Sequence, residues 1–195
     1  MSQIRIYFEG NPGLKRPLQV FLEKADPRLK NRIKPIPGRG RDDAIYDFLL
    51  SVHRDPSLRH VLLIDSEGPD DGHLFDKLTR EGSWRPRKVV PTERQVGWMV
   101  QIMEAWFLAD QEALHAYYGS DLQANALPRN PRVEAIPKAD VLSGLKAASL
   151  RSTKGGYHKG AHAARILENL DPGRVRRVAD HFDQLLVVLI HITEE

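Results

Sequence analysis

The spacing of apolar and polar residues predicts strands and helices in turn along the first third of the chain. IRIYFE (residues 4–9) alternates and predicts a strand, which GNPG then ends in a turn. LKRPLQVFLEKA (14–25) has apolar residues at helical spacing and predicts a helix that begins near Pro17. RIKPIPGRGR (32–41) suits a short strand before a glycine-rich loop, and RDDAIYDFLLSVH (41–53) predicts a second helix.

The same alternation continues through the middle of the chain. HVLLID (60–65) is an unbroken apolar run that predicts a buried strand, and DGHLFDKLTR (71–80) predicts a short helix. RKVVP (87–91) suits a short strand or an extended loop. VGWMVQ (96–101) predicts a further strand, and IMEAWFLADQEALHAYYG (102–119) predicts one helix that ends at its glycine.

Strands that alternate with helices predict an α/β, Rossmann-like fold whose mostly parallel sheet is flanked by helices. We assign this domain to residues 1–120. Residues 121–195 read as a proline-punctuated connection and a C-terminal helical extension packed on the same domain. Three helical stretches are predicted there: ADVLSGLKAAS, GAHAARILENL and PGRVRRVADHFDQLLVVLIHI, the last with Asp171 as N-cap and Pro172 in its first turn.

The composition of the chain excludes some kinds of site but does not identify a function. The absence of cysteine excludes disulfides and thiolate metal sites and suits a reducing compartment. The N-terminus lacks a signal pattern and no apolar run approaches membrane-spanning length, so we expect a cytoplasmic protein without membrane attachment. The net charge of +3 is small but unevenly placed: acids gather at residues 65–71, and bases at 28–41, 85–88 and 151–160.

Three acids follow predicted strands. Glu9 ends the first strand, Asp65 ends the buried strand, and Glu67 lies two residues further on. If these strands are neighbours, their carboxylates converge at the carboxyl edge of the sheet, where ligands of open parallel sheets bind. The mutual repulsion of the carboxylates calls for a cation, and oxygen ligands suit Mg²⁺ or Mn²⁺. The alternative is that the three are separate loop acids.

Other acids have structural interpretations. Asp70 and Asp71 are favoured as caps of the helix that follows Pro69, although Asp70 is kept as an additional candidate for the site. Glu104 lies among apolar residues, so it is either a buried partner of an arginine or lysine or a further metal ligand, and the first is favoured.

The segment STKGGYHKG (152–160) is the most unusual loop. Its two glycines allow a close backbone approach, and Lys154 and Lys159 offer charge to phosphate groups. Arg39 and Arg41, at the start of the second helix, could do the same. Tyr157 is favoured for aromatic packing or base stacking over a nucleophilic role. The loop does not match the GxxxxGK[ST] phosphate loop, which argues against an ATPase.

The motifs YFEGN and LLIDSEG resemble the Toprim pattern, in which a glutamate closes the first strand and an Asp-x-Asp pair closes a central one. Here the pair is Asp-x-Glu. MVQIMEAWFLAD and STKGGYHKG narrow the resemblance to a family of small bacterial Toprim-like proteins described as domains of unknown function. MEAWFLAD is also distantly similar to a segment of RloB-like and OLD-type nucleases.

The residues and the resemblance together favour a Mg²⁺-dependent nuclease that hydrolyses DNA or RNA. Asp65 and Glu67 would hold the metal, and Glu9 would be a ligand or general base. The resemblance further implies a role in phage defence beside an AAA-type ATPase, and a homodimer stays open. Two alternatives remain: a binding or regulatory subunit of Toprim fold without turnover, and a phosphoryl-transfer enzyme acting on small substrates.

Overall fold

A computed structural model describes residues 3–86 and 88–194. Its centre is a sheet of four parallel strands in the order β2-β1-β3-β4. The strands are β1 (Ile4–Glu9), β2 (Ile33–Gly38), β3 (His60–Asp65) and β4 (Val96–Met99). The predicted α/β fold with a parallel sheet is confirmed, and β1 and β3, the two strands that end in acids, are neighbours.

Helices join the strands and complete the C-terminal part of the chain. They are α1 (Lys15–Ala25), α2 (Arg41–Arg54), α3 (Leu74–Thr79), α4 (Gln111–Tyr118), α5 (Lys138–Ser149), α6 (Lys159–Asn169), α7 (Pro172–Arg176) and α8 (Asp180–Glu194). Among the described residues, none of these helices combines the length and apolarity that a membrane crossing needs.

Side chains of the central strands alternate between two apolar layers. Val61 and Leu63 of β3 face the layer that contains α1 and α8, whereas Leu62 and Ile64 face the layer that contains α2 and α3. All six residues of β3 are buried. This explains why the sequence of β3 shows an apolar run instead of alternation, and it places Asp65 at the end of the most enclosed strand.

The prediction of one helix over residues 102–119 is wrong. Met103–Ala109 forms a 3₁₀ helix, and α4 begins only after Asp110. The Asp110 carboxylate accepts hydrogen bonds from the main-chain N–H of Ala113, at 3.1 Å, and of Asp171, at 2.8 Å. Asp110 therefore caps α4 and ties it to the start of α7. Gly119, with φ of 80°, ends α4 as expected.

The prediction of one helix over residues 172–192 is also wrong, because α7 and α8 are separate. Asp171 caps α7 as expected, since its side chain accepts from the N–H of Gly173 at 2.8 Å. At the break, the N–H of Val133 donates to the carbonyl of Val178, and Glu134 accepts from the N–H of His181. The connecting segment thus supplies partners that a continuous helix would supply itself.

Of the short strand or extended loop predicted at residues 87–91, residues 88–91 form a loop, and Arg87 lies outside the described residues. Two other predictions around β3 and β4 are wrong. The strand predicted over 96–101 ends at Met99. Asp70 and Asp71 do not cap α3: their side chains accept from the N–H groups of Gly72 and His73, before the helix begins, and so order the preceding loop.

Candidate functional site

The carboxylates of Glu9, Asp65 and Glu67 meet at the carboxyl end of the sheet. One oxygen from each lies within 4.8 Å of an oxygen of the other two. Glu9 ends β1 and Asp65 ends the adjacent β3, so the parallel pairing brings these two side chains to one edge. The expected convergence of the three acids is therefore present, and the alternative of separate loop acids is not. Three carboxylate oxygens at this spacing could hold one divalent cation.

Glu67 reaches this position through an unusual turn. Its φ is 62°, in the left-handed region, and Gln101 opposite it has φ of 63°. The N–H of Glu67 donates to the carbonyl of Gln101 at 3.0 Å, and the N–H of Ser66 donates to that of Met99 at 3.0 Å. These bonds tie the residues that follow β3 to the residues that follow β4. A non-glycine residue with this φ is uncommon, and such backbone strain concentrates at functional sites.

Asp65 is the most enclosed of the three acids, with 3 % of its surface exposed. Its Oδ1 accepts from the N–H of Met103 at 2.8 Å, and its Oδ2 lies 3.5 Å from Nζ of Lys159. Burial raises the pKa of Asp65 to about 7, with Glu104 and Glu9 adding to the rise and Lys159 opposing it. Burial is also the main cause of the raised pKa of Glu9.

Glu104 joins the three acids from the 3₁₀ helix and is fully buried. Its Oε1 accepts from the hydroxyl of Tyr157 at 2.9 Å, and its Oε2 lies 3.6 Å from Nζ of Lys159. Glu104 therefore pairs with a lysine, the first of its two expected roles. Glu9, Asp65, Glu67 and Glu104 are called the carboxylate cluster from here on.

Tyr157 is packed instead of presented to solvent. It is 8 % exposed and contacts the rings of Phe107 and His162 at centroid distances of 6.2 and 6.0 Å. Burial and the Glu104 carboxylate both raise the pKa of the Tyr157 hydroxyl, which therefore stays protonated and donates. The expectation of aromatic packing is confirmed, and the position suits neither base stacking nor nucleophilic attack.

Among the residues that the structure describes, three cations border the carboxylate cluster. Lys159, at the start of α6, lies between Asp65 and Glu104, and Lys138, at the start of α5, forms an ion pair with Glu67. Arg41 donates to the carbonyl of Asp65 at 2.7 Å, and its guanidinium lies 4.0 Å from Glu9. Among the predicted phosphate-binding residues, Lys159 and Arg41 thus lie at the cluster.

The other two predicted phosphate-binding residues have partners elsewhere. Arg39 has a side chain that is 94 % exposed and pairs with Asp43, one turn along α2, at 3.2 Å. The ammonium of Lys154 lies 5.1 Å from the centre of the Tyr117 ring. Arg39 remains available to a ligand at the surface, whereas Lys154 is engaged in a cation–π contact.

Sequence reasoning missed two residues of the site. Glu81 binds Arg41 through two hydrogen bonds, at 2.7 and 3.0 Å, and so orients its guanidinium. Lys138 is placed by its main-chain N–H, which donates to Oε1 of Gln101 at 3.1 Å. Glu81 is forty residues from Arg41, and Lys138 is seventy-one from Glu67. No local pattern in the sequence signals either pairing.

Asp70, the remaining candidate, lies in a different group of polar side chains. Its Oδ2 is 3.1 Å from Nε2 of His181, whose Nδ1 is 3.1 Å from Oε2 of Glu134. We call these three residues the histidine cluster. Both carboxylates raise the pKa of His181, and the largest cause is the hydrogen bond that its ring N–H donates to Glu134. Asp70 therefore fixes the loop after β3 to the start of α8.

Comparison with known proteins identifies a family and nothing beyond it. The family model described as domain of unknown function DUF4276 matches residues 17–190. No curated protein and no solved structure matches the chain. The matched range begins after Glu9 and includes the other three members of the carboxylate cluster. Because the match covers most of its length, the chain belongs to the DUF4276 family.

Proposed function

We propose that this protein is a metal-dependent phosphodiesterase of Toprim-like fold that hydrolyses DNA or RNA at the carboxylate cluster. The observation that carries the proposal is the meeting of Glu9, Asp65 and Glu67 at the carboxyl edge of a parallel sheet, with oxygens within 4.8 Å of one another. Such crowding of carboxylates is unfavourable unless cations offset it, and oxygen ligands suit Mg²⁺ or Mn²⁺.

A specific feature of Glu9 supports a cation beside it. Its Oε2 is buried and has no hydrogen-bond partner among the described residues, and Arg41 approaches it only to 4.0 Å. A buried polar atom without a partner costs free energy, which a bound cation would offset. The donor set therefore fits a hard divalent ion, which would polarise the scissile phosphate and activate water.

The protein residues would divide the remaining work by position. Asp65 and Glu67 would hold the ion, and Glu9 would serve as a ligand or accept the proton of the attacking water. Lys138 and Lys159, at the rim of the cluster, would bind phosphate oxygens of the substrate, with Arg39 contacting the backbone further out. Arg41, held by Glu81 and the carbonyl of Asp65, would position the acids instead of binding substrate.

A second candidate is a binding or regulatory subunit without turnover. It is favoured by the cations already present, because Lys138 pairs with Glu67, and Lys159 with Asp65 and Glu104. In this alternative the lysines alone balance the acids. An AAA-type ATPase partner and a role in phage defence are expectations from the resemblance to Toprim nucleases, and a homodimer is an open possibility. None of the three favours one candidate over the other.

One experiment separates the two candidates. The purified protein is incubated with single-stranded DNA, double-stranded DNA, tRNA and total RNA, each with Mg²⁺, Mn²⁺ or EDTA. We expect cleavage with a metal and none with EDTA. Asp65→Asn should remove the activity, whereas Asp121→Asn, which changes an exposed carboxylate, should retain it. Metal-independent cleavage, or activity that survives in Asp65→Asn, would refute the metal mechanism; no cleavage together with tight nucleic-acid binding would favour the subunit.

A further inference from the structure

Glu104 carries an oxygen whose surroundings need an explanation. The Glu104 side chain is 1 % exposed, and its Oε2 has no hydrogen-bond partner among the described residues. The other oxygen is held by the hydroxyl of Tyr157. The carboxylate is therefore fixed in orientation, with the free oxygen directed toward Lys159. A fully buried carboxylate oxygen left in this state is costly, and it marks a place where a cation is needed.

The ammonium of Lys159 lies at this position but binds the Glu104 oxygen only loosely. Its Nζ lies 3.6 Å from the free oxygen of Glu104 and 3.5 Å from Oδ2 of Asp65, both longer than an ordinary charged hydrogen bond. The ammonium thus lies between two carboxylates without binding either closely. The Lys159 side chain is 47 % exposed, so it reaches this position from the surface and can leave it without unfolding α6.

We infer that Asp65 and Glu104 form a second cation position, which the ammonium of Lys159 occupies in place of a divalent ion. Asp65 belongs to both positions: it is grouped with Glu9 and Glu67 at the first and faces Lys159 at the second. A carboxylate shared between two cations is the arrangement of two-metal phosphodiesterases. Here the lysine supplies the second positive charge, so the protein takes one divalent ion per chain and not two.

The catalytic role of the second cation position rests on the proposed function, but the position itself can be tested without substrate, by measuring how many metal ions each chain binds. Mn²⁺ serves as the probe, and its stoichiometry is measured by equilibrium dialysis and by the loss of the free-ion electron paramagnetic resonance signal. The variants are Lys159→Met, which keeps the apolar stem and removes the charge, and Lys159→Gln, which is neutral and polar. Lys154→Ala, in the same loop and engaged with Tyr117, is the matched control.

We expect one Mn²⁺ per chain in the parent and in Lys154→Ala, and two in both neutral variants of Lys159. Adding Glu104→Gln to Lys159→Met should weaken the second site by at least about 10-fold, since one of its two carboxylates is lost. Lys159→Arg, which retains a positive charge, should stay at one. If Lys159→Met does not fold, Lys159→Gln and Lys159→Arg still give the contrast between neutral and charged side chains.

The outcomes distinguish this inference from the proposed function. One ion in the parent and one in the neutral variants would overturn the second position and leave the first intact. No ion in the parent but one in the neutral variants would support the second position and refute the metal site of Glu9, Asp65 and Glu67. Two ions in the parent would overturn the inference, because Lys159 would then not exclude a metal.

Discussion

The carboxylate cluster and the histidine cluster begin in the same loop, since Glu67 belongs to one and Asp70 to the other, but their hydrogen bonding differs. In the histidine cluster, both ring nitrogens and the main-chain N–H of His181 have carboxylate partners at 3.1 Å. In the carboxylate cluster, Glu9 and Glu104 each keep a buried oxygen without a hydrogen-bond partner among the described residues.

This difference separates a structural group of charges from a candidate site. A structural group minimises its cost by satisfying every donor and acceptor, and the histidine cluster does so with groups from three segments of the chain. The carboxylate cluster gathers four acids and three cations at distances that leave oxygens available. Buried carboxylate oxygens that lack partners within the protein are expected where a bound ligand supplies the missing partner.

Asp65→Asn should have the largest effect, because it removes the carboxylate shared by both proposed cation positions. We expect the proposed nuclease activity and the Mn²⁺ affinity each to fall by more than about 100-fold, which exceeds the loss typical when a residue that only supports a metal ligand is replaced. Isothermal titration of Mn²⁺ and the cleavage assay measure the two quantities. An unchanged Mn²⁺ affinity would show that the cluster is structural.

The same variant should be as stable as the parent without metal, or more so. Because the folded state raises the pKa of Asp65 to about 7, its neutral form is favoured, and the associated stability is lost as pH rises through that value. The asparagine mimics the neutral form at every pH. The stability of Asp65→Asn relative to the parent, measured by thermal unfolding in EDTA, should therefore increase between pH 5 and pH 8. A clear loss at pH 8 would indicate that the pair of Asp65 with Lys159 is a structural salt bridge.

His181→Asn tests the other side of the comparison. The two carboxylates raise the pKa of His181, so the stability from its charged form is fully present below the unfolded value near 6.5 and is lost as pH rises through the folded value. We expect a cost of about 1–3 kcal/mol at pH 5.5 and a smaller cost at pH 9. Urea unfolding at both pH values measures it, and Mn²⁺ affinity, the control, should not change. A cost independent of pH would mean that His181 is held as a neutral ring.

Tyr157→Phe should have a smaller effect on stability, because it removes one hydrogen bond to a buried carboxylate and keeps the ring packing. The expected loss is about 1–2 kcal/mol in urea unfolding. Tyr118→Phe, which removes the hydroxyl that contacts His162 at 3.0 Å, is the matched control. Only Tyr157→Phe should alter Mn²⁺ binding in the Lys159→Met background, since it frees Glu104. Equal binding in both variants would argue that Tyr157 merely fills space.

The sequence predicts the carboxylate cluster better than its surroundings, for a physical reason. Glu9 and Asp65 follow strands whose patterns are local, and parallel pairing then fixes where the side chains go. The 3₁₀ helix that carries Glu104 has apolar spacing that an α-helix would share. Lys138 contacts residues that are distant in the chain, so the local spacing of apolar and polar residues cannot predict these contacts. The members of the histidine cluster are likewise brought together only by tertiary packing.

Arg39→Ala should have the smallest effect and sharpens the comparison at the surface. Arg39 and Arg41 lie two residues apart, but Arg39 has an exposed pair with Asp43, whereas Arg41 is bound to Glu81 and the carbonyl of Asp65. An exposed pair of this kind contributes little, so we expect Arg39→Ala to change the free energy of unfolding by less than about 0.5 kcal/mol. If Arg39 contacts a phosphate, the slope of log affinity for nucleic acid against log salt should fall in magnitude by about one.

Arg41→Ala is the contrasting variant and should lower the free energy of unfolding clearly, because Glu81 loses its partner. An unchanged salt slope in Arg39→Ala would show that Arg39 contacts no phosphate and would remove it from the proposed binding surface.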